Sequence, residues 1–141
     1  MRTAFGLALV GLMGGLAAPA VRADHEGPHK GIVVEWGDEE LHPEIVVDRA
    51  TGAVTVYVYG NHDDLHAKKL KAIDSKSLLL ALKTTPATVV KLDPAPEAGD
   101  PKGSSTRFTG KHEIFTKGMK LEGTLSAKVG TKPYSGEVKQ K

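Results

Sequence analysis

Residues 53–59 alternate without interruption, Val54, Val56 and Val58 against Thr55, Tyr57 and Tyr59. A period of two marks a strand with one buried face, because a helix would scatter those valines around its surface. The constraint extends to the preceding segment. Residues 42–48 carry Ile45, Val46 and Val47, and Arg49-Ala50-Thr51-Gly52 between the runs reads as a turn with Gly52 suited to positive φ. A β-hairpin over these two segments is the firmest expectation the chain supports.

Further segments read the same way. Residues 32–36 are β-branched and aromatic, and residues 78–82 form a short apolar run with Pro86 close behind. Residues 88–92, 106–109, 119–129 and 134–138 complete the set of strand candidates. Residues 93–105 are rich in Pro, Gly and Ser and read as a long loop within the domain, and Gly130-Thr131-Lys132-Pro133 reads as a turn. No helical stretch is long enough for a βαβ unit. The expected fold class is all-β: a single antiparallel β-sandwich of immunoglobulin-like type, or a small barrel.

Residues 1–23 have the parts of a cleaved signal peptide: Arg2, an apolar run from Ala4 to Ala18, and Val21-Arg22-Ala23 as the cleavage site. Four glycines interrupt that run, which is shorter than the roughly 20 residues of a spanning helix. Residues 24–31 then form a polar, histidine-bearing lead-in and residues 32–141 a single β domain. The expected location is periplasmic or secreted, with no membrane span after cleavage. Without Arg2 and Arg22, 17 basic residues face 17 acidic ones, which leaves no electrostatic footprint for nucleic acid. The absence of cysteine removes disulfides, thiolate chemistry and a lipid anchor at a processed cysteine.

Chemistry therefore falls to six histidines, His25, His29, His42, His62, His66 and His112. Neutral imidazole ligates zinc, copper(II), nickel and cobalt, provided several rings converge. His25-Glu26-Gly27-Pro28-His29 matches H-E-x-x-H in form, but Gly27 and Pro28 oppose the helix that motif requires. His42 and Glu44 share a strand face, either as a ligand pair or as a hydrogen-bonded pair. His62-x3-His66 would share a face on a helical turn, although a polar loop is the ordinary reading of that composition. His112 stands alone. No nucleophile with a placed base, no G-x-S-x-G and no phosphate loop is present, so a hydrolytic enzyme is the minority reading.

Pro28-His29-Lys30-Gly31-Ile32-Val33, Leu41-His42-Pro43-Glu44-Ile45-Val46-Val47-Asp48 and Thr51-Gly52-Ala53-Val54-Thr55-Val56-Tyr57-Val58 together carry a resemblance. The chain is similar to small exported bacterial proteins, many of them uncharacterised. Their H-G-G, strand, H-x-E and T-G-x-V-x-V-Y pattern also resembles domains of heavy-metal efflux periplasmic adaptors. Lys30 stands where that pattern has its first glycine, and the helical hairpin and lipoyl-like parts of an adaptor are missing. The resemblance implies a periplasmic β domain linked to metal handling, with His29, His42, Glu44 and His112 as the positions carried over.

The combined expectation is a non-enzymatic exported β-domain protein that binds a divalent transition metal, zinc or copper(II). Its candidate ligands are His29, His42, Glu44, His112, His25, His62 and His66, and its expected partner is a metal-efflux component or another exported protein. Binding should weaken as pH falls through the histidine range, because protons compete for the same nitrogens. The alternative is an immunoglobulin-like interaction or structural module without metal, which an exposed patch of Tyr57, Tyr59 and Trp36 would favour. Convergence of His29, His42 and His112 would favour metal.

Overall fold

The computed structural model describes residues 26–140. The signal-peptide reading of residues 1–23 and the candidate ligand His25 lie outside the described residues. Eight strands form one antiparallel sheet that nearly closes into a barrel. They are β1 (Ile32–Val33), β2 (His42–Asp48), β3 (Ala53–Tyr59), β4 (Leu78–Leu82), β5 (Thr88–Pro94), β6 (Arg107–Lys111), β7 (Glu122–Val129) and β8 (Lys132–Lys139). The order across the sheet is β1-β2-β3-β6-β5-β4-β7-β8.

The sequence allowed either a sandwich or a barrel, and β5 shows why the barrel forms. Its residues from Thr88 to Leu92 pair with β4, while Asp93 and Pro94 pair with Thr109 and Phe108 of β6. One strand thus belongs to both halves of the sheet and bends it around a single core. The 53–59 alternation is realised, with Val54, Val56 and Val58 fully buried, and Gly52 adopts φ +81° in the hairpin turn. The Leu78–Leu82 run is a strand with Leu78, Leu80 and Leu82 inside. The β7–β8 turn is tighter than the sequence suggested. Val129 pairs with Lys132, so only Gly130 and Thr131 turn and Pro133 belongs to β8.

Two connections cross the ends of the barrel. The β3–β4 connection carries a short helix, α1 (His62–His66), and the β6–β7 connection carries a 3₁₀ turn, Glu113–Lys117. Because β3 and β6 run antiparallel with Ala53 opposite Lys111, these two connections occupy opposite ends. The β1–β2 turn lies at the same end as α1, since His42 pairs with Tyr59.

The seam between β1 and β8 is closed by side chains. Trp36 is fully buried, donates its indole N–H to Leu125 O at 3.0 Å and stacks on Tyr134 with ring centroids 5.7 Å apart. Outside it, Lys132 Nζ meets Glu40 Oε1 at 2.6 Å, an exposed pair that holds Glu40 below and Lys132 above the ordinary range of each. The burial of the indole carries the seam, because an exposed ion pair contributes little by itself.

Replacing Trp36 should therefore open this seam. Trp36→Ala is expected to cost about 3–5 kcal/mol. Trp36→Phe, which keeps a ring but leaves Leu125 O without its donor, should cost about 1–3 kcal/mol. Denaturant unfolding followed by far-ultraviolet circular dichroism measures both, and small, equal losses would show that the seam does not rest on the indole.

Candidate metal centre

The side of β2 and β3 that faces away from the core holds two histidine clusters. The first surrounds Glu44, which is fully buried although it points away from the apolar interior. The amides of His29 and Gly31 donate to its Oε2, each at 2.8 Å. Its Oε1 lies 2.9 Å from His29 Nδ1 and 3.4 Å from the Tyr59 hydroxyl. Four donors on two oxygens is the pattern a carboxylate satisfies. The loop reaches Glu44 because of its glycines: a Cβ on Gly27 would lie 2.2 Å from the Glu44 carboxyl carbon, and one on Gly31 2.4 Å from Ile45 O. Lys30 between them has φ +62°, a left-handed conformation that glycine adopts without cost.

His29 stacks on Tyr57 with centroids 4.0 Å apart and an interplanar angle of 10°. The pairing of His29 with Glu44 is thus a clasp that ties the N-terminal loop to the barrel wall, with every lone-pair direction of the carboxylate engaged. Tyr59 is buried beside it. Burial first, and then the neighbouring Glu44 charge, push the Tyr59 phenol well above its ordinary range.

The second cluster lies at the α1 end of the barrel. His42 opens β2, is buried, and has Nδ1 2.9 Å from Gly60 O. A carbonyl only accepts, so Nδ1 carries the proton and Nε2 keeps its lone pair for a ligand. His62 approaches from α1, with ring centroids 6.1 Å from those of His42, and Glu39 approaches from the β1–β2 turn. Ligand atoms of Glu39, His42 and His62 all lie within 4.8 Å of one another. Nitrogen and carboxylate donors at this spacing suit a borderline divalent ion bound at about 2.0–2.2 Å.

Local sequence explains each position. Asn61 and Asp64 form a reciprocal capping box, with Asp64 N donating to Asn61 Oδ1 at 3.0 Å and Asn61 N donating to Asp64 Oδ2 at 3.3 Å. Buried Leu65 pins the helix to the barrel. Residues 61–66 are therefore a capped helical turn, not the polar loop that composition suggested. Glu39 sits at φ +59° in a turn closed by Trp36 N donating to Leu41 O at 2.9 Å. A carboxylate residue held in the left-handed region is a costly placement of the kind that clusters at functional sites.

The structure distributes the sequence candidates over three places. His42 and His62 come together, with His66 against His62, and His29 joins Glu44 in the clasp. His112 lies at the other barrel end, where its N–H donates to Gly52 O and its Nδ1 accepts from Ile114 N at 3.0 Å, capping the 3₁₀ turn. Seven positions along β3 separate those ends, about 23 Å. His29, His42 and His112 therefore do not gather at one point. Glu39 was not among the sequence candidates, and its only signal was an acidic turn three residues before His42.

Tyr59 gives the clasp a pH signature. A phenol whose proton is held more tightly in the folded state adds stability that is complete below the ordinary phenol value of about 10 and falls as pH rises past it. Between about pH 8 and 10.5 the wild type should lose more unfolding free energy than Tyr59→Phe. Equal losses in denaturant titrations would show that Tyr59 ionises as freely folded as unfolded.

No protein-family model matches the chain, and no curated protein or solved structure shows significant similarity to it.

Proposed function

We propose that this is an exported β-barrel protein that binds one divalent transition metal ion, zinc or copper(II), as a non-enzymatic accessory in metal homeostasis. The observation that carries the reading is the convergence of Glu39, His42 and His62 from a turn, a strand and a helix. His42 adds weight, because its Nδ1 is already committed to a backbone carbonyl and its ring is held for ligation through Nε2. The partner is another exported protein that delivers or takes the ion. Among the described residues no helix is long and apolar enough to cross a membrane.

The interaction-module alternative has less support. Trp36 is fully buried, Tyr59 is buried with its hydroxyl on Glu44, and Tyr57 lies under the His29 ring. The aromatic patch that would favour it is used internally.

Calorimetric titration of the purified protein with zinc and with copper(II) should give one saturable site of about micromolar affinity or tighter. His62→Ala, at a half-exposed position, should weaken it about tenfold or more, and His112→Ala should leave it unchanged. Absence of saturable binding in the wild type, or equal binding in His62→Ala, would overturn the proposal.

A further inference from the structure

The turn at residues 37–40 is closed at its base and divides two adjacent carboxylates between different neighbours. Trp36 N donates to Leu41 O at 2.9 Å, and Glu40 N and Leu41 N both donate to Trp36 O, at 3.1 and 3.3 Å. Glu39 brings a carboxylate oxygen within 4.8 Å of ligand atoms of His42 and His62. Glu40, the next residue, turns to β8 instead: its Oε1 lies 2.6 Å from Lys132 Nζ, and its Oε2 accepts from the Tyr134 hydroxyl at 3.3 Å. Gly37 leaves the room for that carboxylate, since a Cβ there would lie 2.6 Å from Glu40 Oε1 and 3.2 Å from Tyr134 Cε1.

An exposed ion pair adds little to folding, and the buried indole of Trp36 already closes the seam. The pair acts on the turn itself. Glu39 has φ +59°, a left-handed conformation that persists only where surrounding contacts over-determine it. It is also the exposed member of its cluster, whereas His42 is buried and His62 half-buried. We infer that Glu40 and Lys132 are a positioning pair for the ion site: they fix the turn that presents Glu39 to His42 and His62. This inference rests on the metal reading above. A donor held in place before the ion arrives loses less freedom on binding, and that smaller loss appears as affinity. The role has a sign that separates it from simple electrostatics. The Lys132 ammonium repels a divalent cation through space, so removing its charge would tighten binding if charge alone acted. Where Lys132 steadies Glu40, removing it weakens binding.

Zinc and copper(II) are titrated calorimetrically into the full chain, Lys132→Met and Lys132→Arg, and affinities are compared for the ion that the wild type holds more tightly. Lys132→Met, which keeps the apolar stem, should bind about threefold more weakly, the size of effect that an exposed ion pair carries. Lys132→Arg, which restores a cation for Glu40, should bind as the wild type does. Ion-free Lys132→Met should unfold at the wild-type urea midpoint, so that the weaker affinity is not a general loosening of the barrel. Unchanged or tighter binding in Lys132→Met, a loss that Lys132→Arg does not restore, or a loss accompanied by a lowered midpoint would overturn the positioning role and leave the three-donor site standing. No saturable binding by the wild type would overturn the metal reading itself, and this inference with it.

Discussion

The pairing of β2 with β3, from His42 opposite Tyr59 to Asp48 opposite Ala53, is the constraint on which the rest depends. One face of this hairpin supplies Ile45, Val54, Val56 and Val58 to the core, and the other carries His42, Glu44, Tyr57 and Tyr59. A slip of one residue in β2 would exchange its faces and drive Glu44 into the apolar interior. Burying an aliphatic side chain stabilises by about 1.5–3 kcal/mol, and an uncompensated buried charge costs several kcal/mol. Both effects act in the same direction, so the register that builds the core also sets out the polar wall.

That wall holds two histidine clusters on one strand, and the number of donors each receives separates them chemically. Glu44 has four donors on its two oxygens and nothing left to offer an ion. His42, two residues away, has Nδ1 fixed by Gly60, and a ring nitrogen of His42 lies within 4.8 Å of ligand atoms of Glu39 and His62. The first arrangement fastens the N-terminal loop to β2 and, with it, the backbone that positions His42. A rigid strand carrying the most buried ligand, with Glu39 and His62 approaching from a turn and a short helix, is the arrangement that supports a preorganised site. An ion bound there would tie three elements of the barrel end together.

What could be read from the sequence followed the range of the interactions involved. The β2–β3 hairpin was legible at its true boundaries, because alternation and a turn glycine are local and agree with the tertiary packing. The Leu78–Leu82 strand was legible from its length. The α1 turn was missed because Asp63 and Asp64 look like loop residues until Asp64 is recognised as the return partner of Asn61. Glu39 could not be found, since its position depends on the Trp36–Leu41 closure and a left-handed backbone angle. The meeting of His42 with His62 depends on the β3–β4 crossover, which only the sheet order fixes.

The aromatic residues show how burial decides between two uses of the same side chains. Trp36, Tyr57 and Tyr59 are the groups that an interaction surface would expose, yet each has a partner inside the fold: Leu125 O, the His29 ring and Glu44. Among the described residues, the large apolar side chains left in solvent are Leu79 and Val89, on the outer faces of β4 and β5. Two such residues are ordinary for a protein surface, and among the described residues they do not make a docking patch. The polar groups at the α1 end differ in kind, because ligand atoms of Glu39, His42 and His62 lie within 4.8 Å of one another. Packing accounts for the aromatics, whereas the donors of Glu39, His42 and His62 could hold an ion.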